Sequence, residues 1–226
     1  MFNIFYRALE LITSGDPMLM DAVLRSLFCS GVGTIIACLW SIPLSMAIAY
    51  TNFRGKSFIK TVFAAFIGFP TVALGLILYL LLSNKGPLGF LELLYNPMGL
   101  TLGQAVLVTP MLCSFSISAI ESVDVEIKDL ARTLGASGTQ ASLAVARESF
   151  SGVLLSVISA FNRAIGELGV AQMVGGNIRG YTSVMTTVIA QETARGNIDL
   201  SIALTIVLLL IVFCITAVTQ AFRRTP

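Results

Sequence analysis

Apolar residues fall into five long blocks along this chain, and polar segments separate the blocks. The blocks cover residues 27–50, 58–82, 102–120, 150–173 and 200–222. Each is close to the ~20 residues that a helix needs to cross the hydrocarbon core of a bilayer. The pattern therefore predicts an all-α integral membrane protein with five transmembrane helices inside a membrane domain of residues 22–222.

Proline interrupts the first three blocks, at Pro43, Pro70 and Pro110. A proline removes one backbone donor, and neighbouring helices can satisfy the carbonyl that this leaves open. Such positions mark kinks, and kinks in transport proteins often border a pathway. For any one of the three, a plain packing kink is the alternative.

The segments outside the blocks have their own patterns. Residues 1–21 interleave apolar and charged positions, which predicts an interfacial helix, with a frayed tail as the alternative. Residues 174–199 place glycines around a short helical stretch from Thr182 to Ala194, which is too short and too polar to cross a bilayer. We expect this segment to form a re-entrant loop on the outer face. Residues 223–226 are a short tail.

The hairpin, residues 121–149, is the most polar part of the chain and reads as helix, turn and helix. Its first helix begins near Glu121, and Gly135 is placed to end that helix, since glycine accepts the left-handed conformation. Ser137 and Gln140 have the spacing of a capping box that starts the second helix. The caps and an apolar stripe indicate a docking surface for a soluble partner, with a solvated loop as the alternative.

Composition supports the membrane assignment and argues against nucleic-acid binding. Hydrophobic residues make up 56% of the 226 residues and charged residues 12%, and the mean hydropathy is +0.88. A soluble protein of this size cannot hide that much apolar surface. The net charge of +2 gives no basic face for nucleic acid. We find no basic stretch followed by an apolar core and a cleavage site, so we expect no cleaved signal peptide.

Catalytic and metal-binding patterns are not visible in the sequence. There is no histidine, and the four cysteines lie singly inside apolar blocks, where they read as small buried hydrophobes. We find no nucleophile–base pair and no nucleotide-binding motif, so we assign no catalytic residue and no metal ligand. If the chain moves a solute uphill, the energy must come from a separate ATPase or from an ion gradient.

The basic residues in the loops, or just beyond their ends, predict the orientation. One set of loops carries Arg54, Lys56, Lys60, Lys128, Arg132, Arg147, Arg223 and Arg224. The opposite set carries Arg7, Arg25, Lys85, Arg179 and Arg195. Cytoplasmic loops carry an excess of Lys and Arg, so eight basic residues in the first set against five in the second favour the first set as cytoplasmic. This places the N-terminus outside, and the C-terminus and the hairpin in the cytoplasm.

Two charged residues lie inside the fourth block. Arg163 and Glu167 are four residues apart, next to Asn162, so they can pair on one helix face. A charge at mid-bilayer costs ~2.5–3.5 kcal/mol on insertion scales and usually faces a bundle interior or a wet cavity. The three are candidates for a gate or pathway lining, and a structural ion pair is an equal alternative. A seam of small residues runs along the same block and predicts close helix packing. The seam consists of Gly152, Ser156, Ala160 and Ala164.

Part of the hairpin resembles a known family motif. Residues 129–137, DLARTLGAS, are similar to the EAA loop of ABC-transporter permeases, whose Glu-Ala-Ala core is followed three residues later by Gly. Asp129 stands for the usual Glu, Leu130 for the first Ala, and the usual proline near Glu148 is missing. The resemblance implies that this stretch couples the chain to an ATPase. The residues so implicated are Asp129, Leu130, Ala131, Arg132, Leu134, Gly135, Ala136 and Ser137.

Two further stretches narrow the resemblance. Residues 69–89 contain FPTVALGL, YLLLS and GPLG, and resemble permeases of the molybdate, tungstate and sulfate branch. Residues 173–197 contain MVGGNIRG and are similar to tungstate-type permeases in particular. We add Pro70 and Thr71, from the first motif, to the candidate pathway residues.

The resemblance implies a type I ABC importer in the cell membrane. In such an importer a permease homodimer stands on two cytoplasmic ATPase subunits, which bind ATP and Mg. An extracytoplasmic oxyanion-binding protein supplies the substrate, which we expect to be tungstate, with molybdate or sulfate as alternatives. A gradient-driven secondary carrier is a different class, and it predicts internal repeats and several intramembrane acids. A membrane scaffold that transports nothing is a third possible class of protein.

Overall fold

The computed structural model of the protein describes residues 2–123, 133–135 and 137–223. These residues form helices, turns and loops, with no β-strand among them. The α-helices are α1 Phe2–Ser14, α2 Pro17–Tyr50, α3 Lys56–Ile67, α4 Thr71–Leu82, α5 Pro97–Glu121, α6 Gly138–Glu148, α7 Phe150–Ile165, α8 Met185–Ala194 and α9 Ile198–Arg223. A 3-10 turn covers Gly89–Leu91, and a π-helical turn covers Ala171–Gly175.

Three of the helices, α2, α5 and α9, are long and apolar enough to cross a membrane. The bent pair α3–α4 counts as a fourth span if its two halves are taken together, and its axes differ by 98°. The predicted block 150–173 is not one continuous helix. It consists of the 16-residue α7, a break at residues 166–168, and a helical turn that ends at Gly175. Two of the five predicted spans are therefore broken helices.

Of the three prolines, only Pro70 accompanies a break. Pro43 and Pro110 lie inside the continuous helices α2 and α5. Pro70 is extended, with φ −60° and ψ 119°, and directly precedes α4, where its lack of an N–H costs nothing. Gly68 ends α3 with its N–H on the carbonyl of Ala65. The Gly-Phe-Pro sequence thus stops one helix and starts the next.

The N-terminal segment divides in two. Asp16 starts α2, because its carboxylate accepts from the N–H groups of Met18 and Leu19, each at 3.0 Å. The preceding helix, α1, packs on α9, where Ala8 is fully buried in a cluster with Leu204. Residues 1–21 therefore contain a packed helix and the first turns of the next one.

The predicted small-residue seam is confirmed as the contact between α7 and α5. The Ser156 and Ser116 hydroxyls lie 2.7 Å apart, and Ala160 is fully buried in a cluster with Val108. A β-carbon on Gly152 would lie 2.7 Å from the Ala119 β-carbon. Glycine at this position lets the two helices approach closely.

This contact gives a test of the fold. We expect Gly152→Ala to destabilise the protein by about 1–3 kcal/mol, because the added methyl overlaps Ala119 and the helices must separate. Gly31→Ala is the matched control, since nothing lies within 4 Å of its β-carbon position. That change should be neutral or stabilising by up to ~1 kcal/mol, because alanine favours a helix interior. Thermal unfolding in detergent measures both, and equal shifts in Tm would contradict the packing.

Candidate functional site: the crossing of two helix breaks

The two helix breaks lie against each other through two buried glycines, Gly75 and Gly169. A β-carbon on Gly169, after the second break, would be 2.7 Å from the Thr71 hydroxyl and 2.8 Å from the Val72 nitrogen. A β-carbon on Gly75 of α4 would be 2.9 Å from the Gly169 carbonyl oxygen. Backbone therefore meets backbone here, which only glycine permits. We call this contact, between residues 70–75 and 166–170, the crossing.

The acid Glu167 lies at the centre of the crossing. Its side chain is 2% exposed, and its Oε2 accepts from Arg163 Nη1 at 2.8 Å, as the spacing of the two residues predicts. Its Oε1 accepts from the Val170 N–H at 3.2 Å, which caps the helical turn beyond the break. One buried carboxylate thus joins the end of α7 to the start of the next turn.

Two carbonyls beside the break also accept side-chain hydrogen bonds. Thr186 donates its hydroxyl to the Glu167 carbonyl at 2.6 Å. Gln104 of α5 donates its amide to the Ala164 carbonyl at 3.3 Å. Gln104 is 1% exposed, and no partner for its Oε1 is present among the described residues. Sequence reasoning missed Gln104, although a lone amide inside the apolar block 102–120 is a signal for such a role.

The structure separates the predicted pathway residues into two places. Pro70, Thr71 and Glu167 lie at the crossing, and Arg163 reaches it through its ion pair. Asn162 instead donates to the Thr216 hydroxyl of α9 at 3.1 Å. The Arg163 side chain is 33% exposed, so it also borders the surface of this chain.

A second charged cluster joins α3 to the end of α5, where the hairpin begins. Glu121 is the last residue of α5, so its expected place in the first helix of the hairpin is wrong. The helix continues to this point because the Glu121 carboxylate is held by two lysines at the start of α3. Lys56 Nζ lies 2.9 Å from its Oε1, and Lys60 pairs with its Oε2. Lys56 also donates to the Ala49 carbonyl at 2.8 Å, so the ends of α2, α3 and α5 are tied together.

The described part of the hairpin has the predicted turn and cap. Gly135 has φ 88°, in the left-handed region. The Ser137 hydroxyl accepts from the Gln140 N–H, and the Ser137 N–H donates to Gln140 Oε1 at 2.8 Å, which completes the capping box. Leu134, beside this turn, is 80% exposed. The predicted coupling residues Asp129, Leu130, Ala131, Arg132 and Ala136 lie outside the described residues.

Comparison with known proteins now decides the family. Residues 41–225 match the family described as "Binding-protein-dependent transport system inner membrane component". The chain belongs to this family. It is accordingly a multi-pass protein of the cell membrane and an ABC-importer permease subunit, which is not an enzyme, since the ATPase is a separate subunit.

Individual relatives cover nearly the whole chain. The tungstate uptake system permease protein TupB of Peptoclostridium acidaminophilum is 39% identical over 220 residues, which are 97% of this chain and 96% of the relative. The TupB protein of Campylobacter jejuni is 35% identical over 224 residues, 99% of this chain and 94% of the relative. These matches place the chain beside oxyanion permeases.

A solved structure shares the fold. A chain of a bacterial ABC transporter involved in the import of the acidic polysaccharide alginate superposes with a TM-score of 0.70. The match covers 98% of this chain and 84% of that one, at 17% sequence identity. The all-helical architecture described above is therefore that of an ABC-importer permease.

The Arg163–Glu167 pair gives a test of the crossing. We expect Glu167→Ala to lower the free energy of unfolding by about 3 kcal/mol, because it leaves Arg163 without its partner and removes the cap on Val170. Glu148→Ala, an exposed acid at the end of α6, is the control and should change stability by less than ~0.5 kcal/mol.

Thermal unfolding of Arg163→Met, of Glu167→Leu and of the variant with both replacements measures the coupling between the two side chains. Joint replacement should recover part of the loss, because neither charge is then left unpaired. If the double variant loses as much stability as the two single variants together, the pair does not hold the crossing.

Proposed function

We propose that this chain is the membrane subunit of an ATP-driven importer that moves tungstate into the cell. The observation that carries the proposal is the similarity to tungstate uptake permeases along almost the entire chain. The buried acid of the crossing supports it, because Glu167 is paired with Arg163 and caps the Val170 N–H. Irregular backbone at membrane depth is tolerated where it is buried in protein or borders a water-filled cavity.

In the proposed topology the chain spans the membrane five times, with the N-terminus outside and the C-terminus in the cytoplasm. The broken segments, α3–α4 and α7 with its π-helical turn, complete the set with α2, α5 and α9. Support comes from the eight basic residues on one side against five on the other. The Lys56–Glu121–Lys60 cluster then lies at the cytoplasmic ends of its helices.

The proposed assembly is a homodimer on two cytoplasmic ATPase subunits, which bind ATP and Mg, with an extracytoplasmic oxyanion-binding protein. Helix α3 has no buried residue and α4 has only Gly75 and Leu82, so this bent pair has an open face. Arg163 is one-third exposed at membrane depth, where contact with lipid is costly. In the proposed homodimer, the second copy covers the open face of α3–α4 and the exposed part of Arg163, with a water-filled pathway between the copies. The residues that border this pathway are Pro70, Thr71, Arg163 and Glu167.

In the proposed mechanism, the hairpin docks on the ATPase and moves with it. The exposed Leu134 lies beside the left-handed Gly135 and near the capping box at Ser137, which suits a docking element. Glu121 passes the movement on, because it begins the hairpin and its carboxylate holds α3 through two lysines. The bent pair α3–α4 then shifts against the crossing, and the pathway opens to one side of the membrane at a time.

Coupling through the hairpin turn is tested in proteoliposomes with the ATPase and the binding protein. We expect Gly135→Arg to lower stimulated ATP hydrolysis and tungstate uptake about tenfold or more, as a loss of ~1.4 kcal/mol of docking free energy would give. Gly15→Arg is the matched control, because Gly15 is also left-handed and open to solvent. If Gly135→Arg leaves both activities intact, the coupling role fails.

The link from the hairpin to α3 is tested by Glu121→Gln. Removing the charge releases Lys56 and Lys60, so we expect fewer tungstate ions moved per ATP hydrolysed, by about two- to tenfold. Glu10→Gln removes the same charge from the exposed face of α1, outside the hairpin, and should leave that ratio unchanged. An unchanged ratio in Glu121→Gln, with normal expression, would contradict the link.

A further inference from the structure

Beyond the crossing, Tyr95 is held in an unusual conformation on the proposed outer side. Its φ is 58°, which is uncommon for a bulky residue and costs of order 1–3 kcal/mol. The Tyr95 N–H donates to the Val174 carbonyl at 2.8 Å, which fixes this conformation. Gly176 has φ 70°, and a β-carbon on it would lie 2.5 Å from Tyr95 Cδ1. The position of the Tyr95 ring therefore depends on left-handed backbone at both Tyr95 and Gly176.

The seated ring divides two clefts that share Tyr79 and Tyr95, whose ring centroids are 6.3 Å apart. One cleft has a volume of about 530 Å³ and is also lined by Gln172. The other has a volume of about 570 Å³ and is also lined by Asn84 and Lys85. A water molecule takes ~30 Å³, so either volume accommodates a small, partly hydrated ion. We call the two together the tyrosine cleft.

The chemistry of the tyrosine cleft suits an anion. Its polar lining consists of hydroxyls, amides and one ammonium group, and no carboxylate lines either part. In the described part of the chain, the side chains of Lys85 and Gln172 make no hydrogen bond or ion pair, so their donors are available to a ligand. Hydrogen bonding with Tyr79 raises the pKa of the Tyr95 phenol, so the phenol stays neutral and adds no negative charge to the cleft.

Another large cleft on the proposed outer side has the opposite character. It is lined by Glu10, Asp16 and Asp199 together with two arginines, and Arg7 already pairs with Asp199 at 3.6 Å. Three carboxylates repel an oxyanion, and one of them already pairs with Arg7. Its remaining arginine, Arg179, therefore provides an outer cation in an acidic setting.

The tyrosine cleft is also joined to the crossing by one short segment. Gln172 lies on the π-helical turn, and its N–H donates to the Leu168 carbonyl at 2.8 Å. Met173, the next residue, packs on Gly75 at the crossing. Residues 168–176 thus border the crossing at one end and the tyrosine cleft at the other.

We propose that the tyrosine cleft is a subsite for a tetrahedral oxyanion, with Lys85 as its cation and Tyr79, Tyr95 and Gln172 as hydrogen-bond donors. The inference rests on the proposed function, because it gives the imported anion a resting place before the crossing. A single exposed cation among neutral donors binds weakly, and a transport site must bind weakly enough to release its ion.

The test is equilibrium dialysis of sodium tungstate against the detergent-solubilised permease–ATPase complex without binding protein. We expect saturable binding, with an affinity about tenfold lower in Lys85→Gln and also lower in Tyr95→Phe, since charge-assisted hydrogen bonds are the stronger kind. Lys85→Arg should restore binding. Arg179→Gln removes an equal charge from the other outer cleft and should leave the affinity unchanged.

Two results would overturn the subsite. One is the absence of saturable tungstate binding to the wild-type complex, and the other is an equal affinity in Lys85→Gln and Arg179→Gln. Uptake by the wild-type importer separates this failure from that of the proposed function. If tungstate is imported but Lys85→Gln changes neither binding nor the half-saturating concentration for uptake, only the subsite is wrong.

Discussion

The structure depends on satisfying backbone groups where two membrane helices break. Lipid offers no hydrogen bonds, so each open N–H or C=O group at such a depth needs a partner within the protein. Glu167 supplies an acceptor to the Val170 N–H, while Gln104 and Thr186 donate to the carbonyls of Ala164 and Glu167. The glycines at 75 and 169 let the broken segments meet at backbone distance. The backbone of the crossing is therefore irregular, while Glu167 and the two glycines at its centre are buried.

Three places along the chain are connected through this crossing. The Lys56–Glu121–Lys60 cluster ties the start of the hairpin to α3, and α3 leads through the break at Pro70 into α4. Helix α4 packs on the π-helical turn, which ends beside Tyr95. Packed and hydrogen-bonded groups thus form a continuous route from the hairpin to Tyr95. We propose that this route carries the work of the ATPase.

Sequence patterns predicted the helical membrane fold, the capping box at Ser137 and the Arg163–Glu167 pair, because each depends on residues close together in the chain. They did not predict the 98° bend at Pro70, since Pro43 and Pro110 lie in continuous helices and only tertiary contacts distinguish the three. The partners of Glu121 lie 61 and 65 residues away, and Gln104 meets α7 across 60 residues. Such contacts leave no local pattern.

ATP-driven import of tungstate is tested most directly by uptake into proteoliposomes that contain the permease, its ATPase and the binding protein. Uptake is followed with ATP on the ATPase side and all ion gradients collapsed, and then with gradients but no ATP. The account predicts uptake in the first condition alone, with molybdate and sulfate competing less well than unlabelled tungstate. Uptake driven by a gradient without the ATPase would contradict it, and preferential inhibition by molybdate or sulfate would contradict the assignment of tungstate.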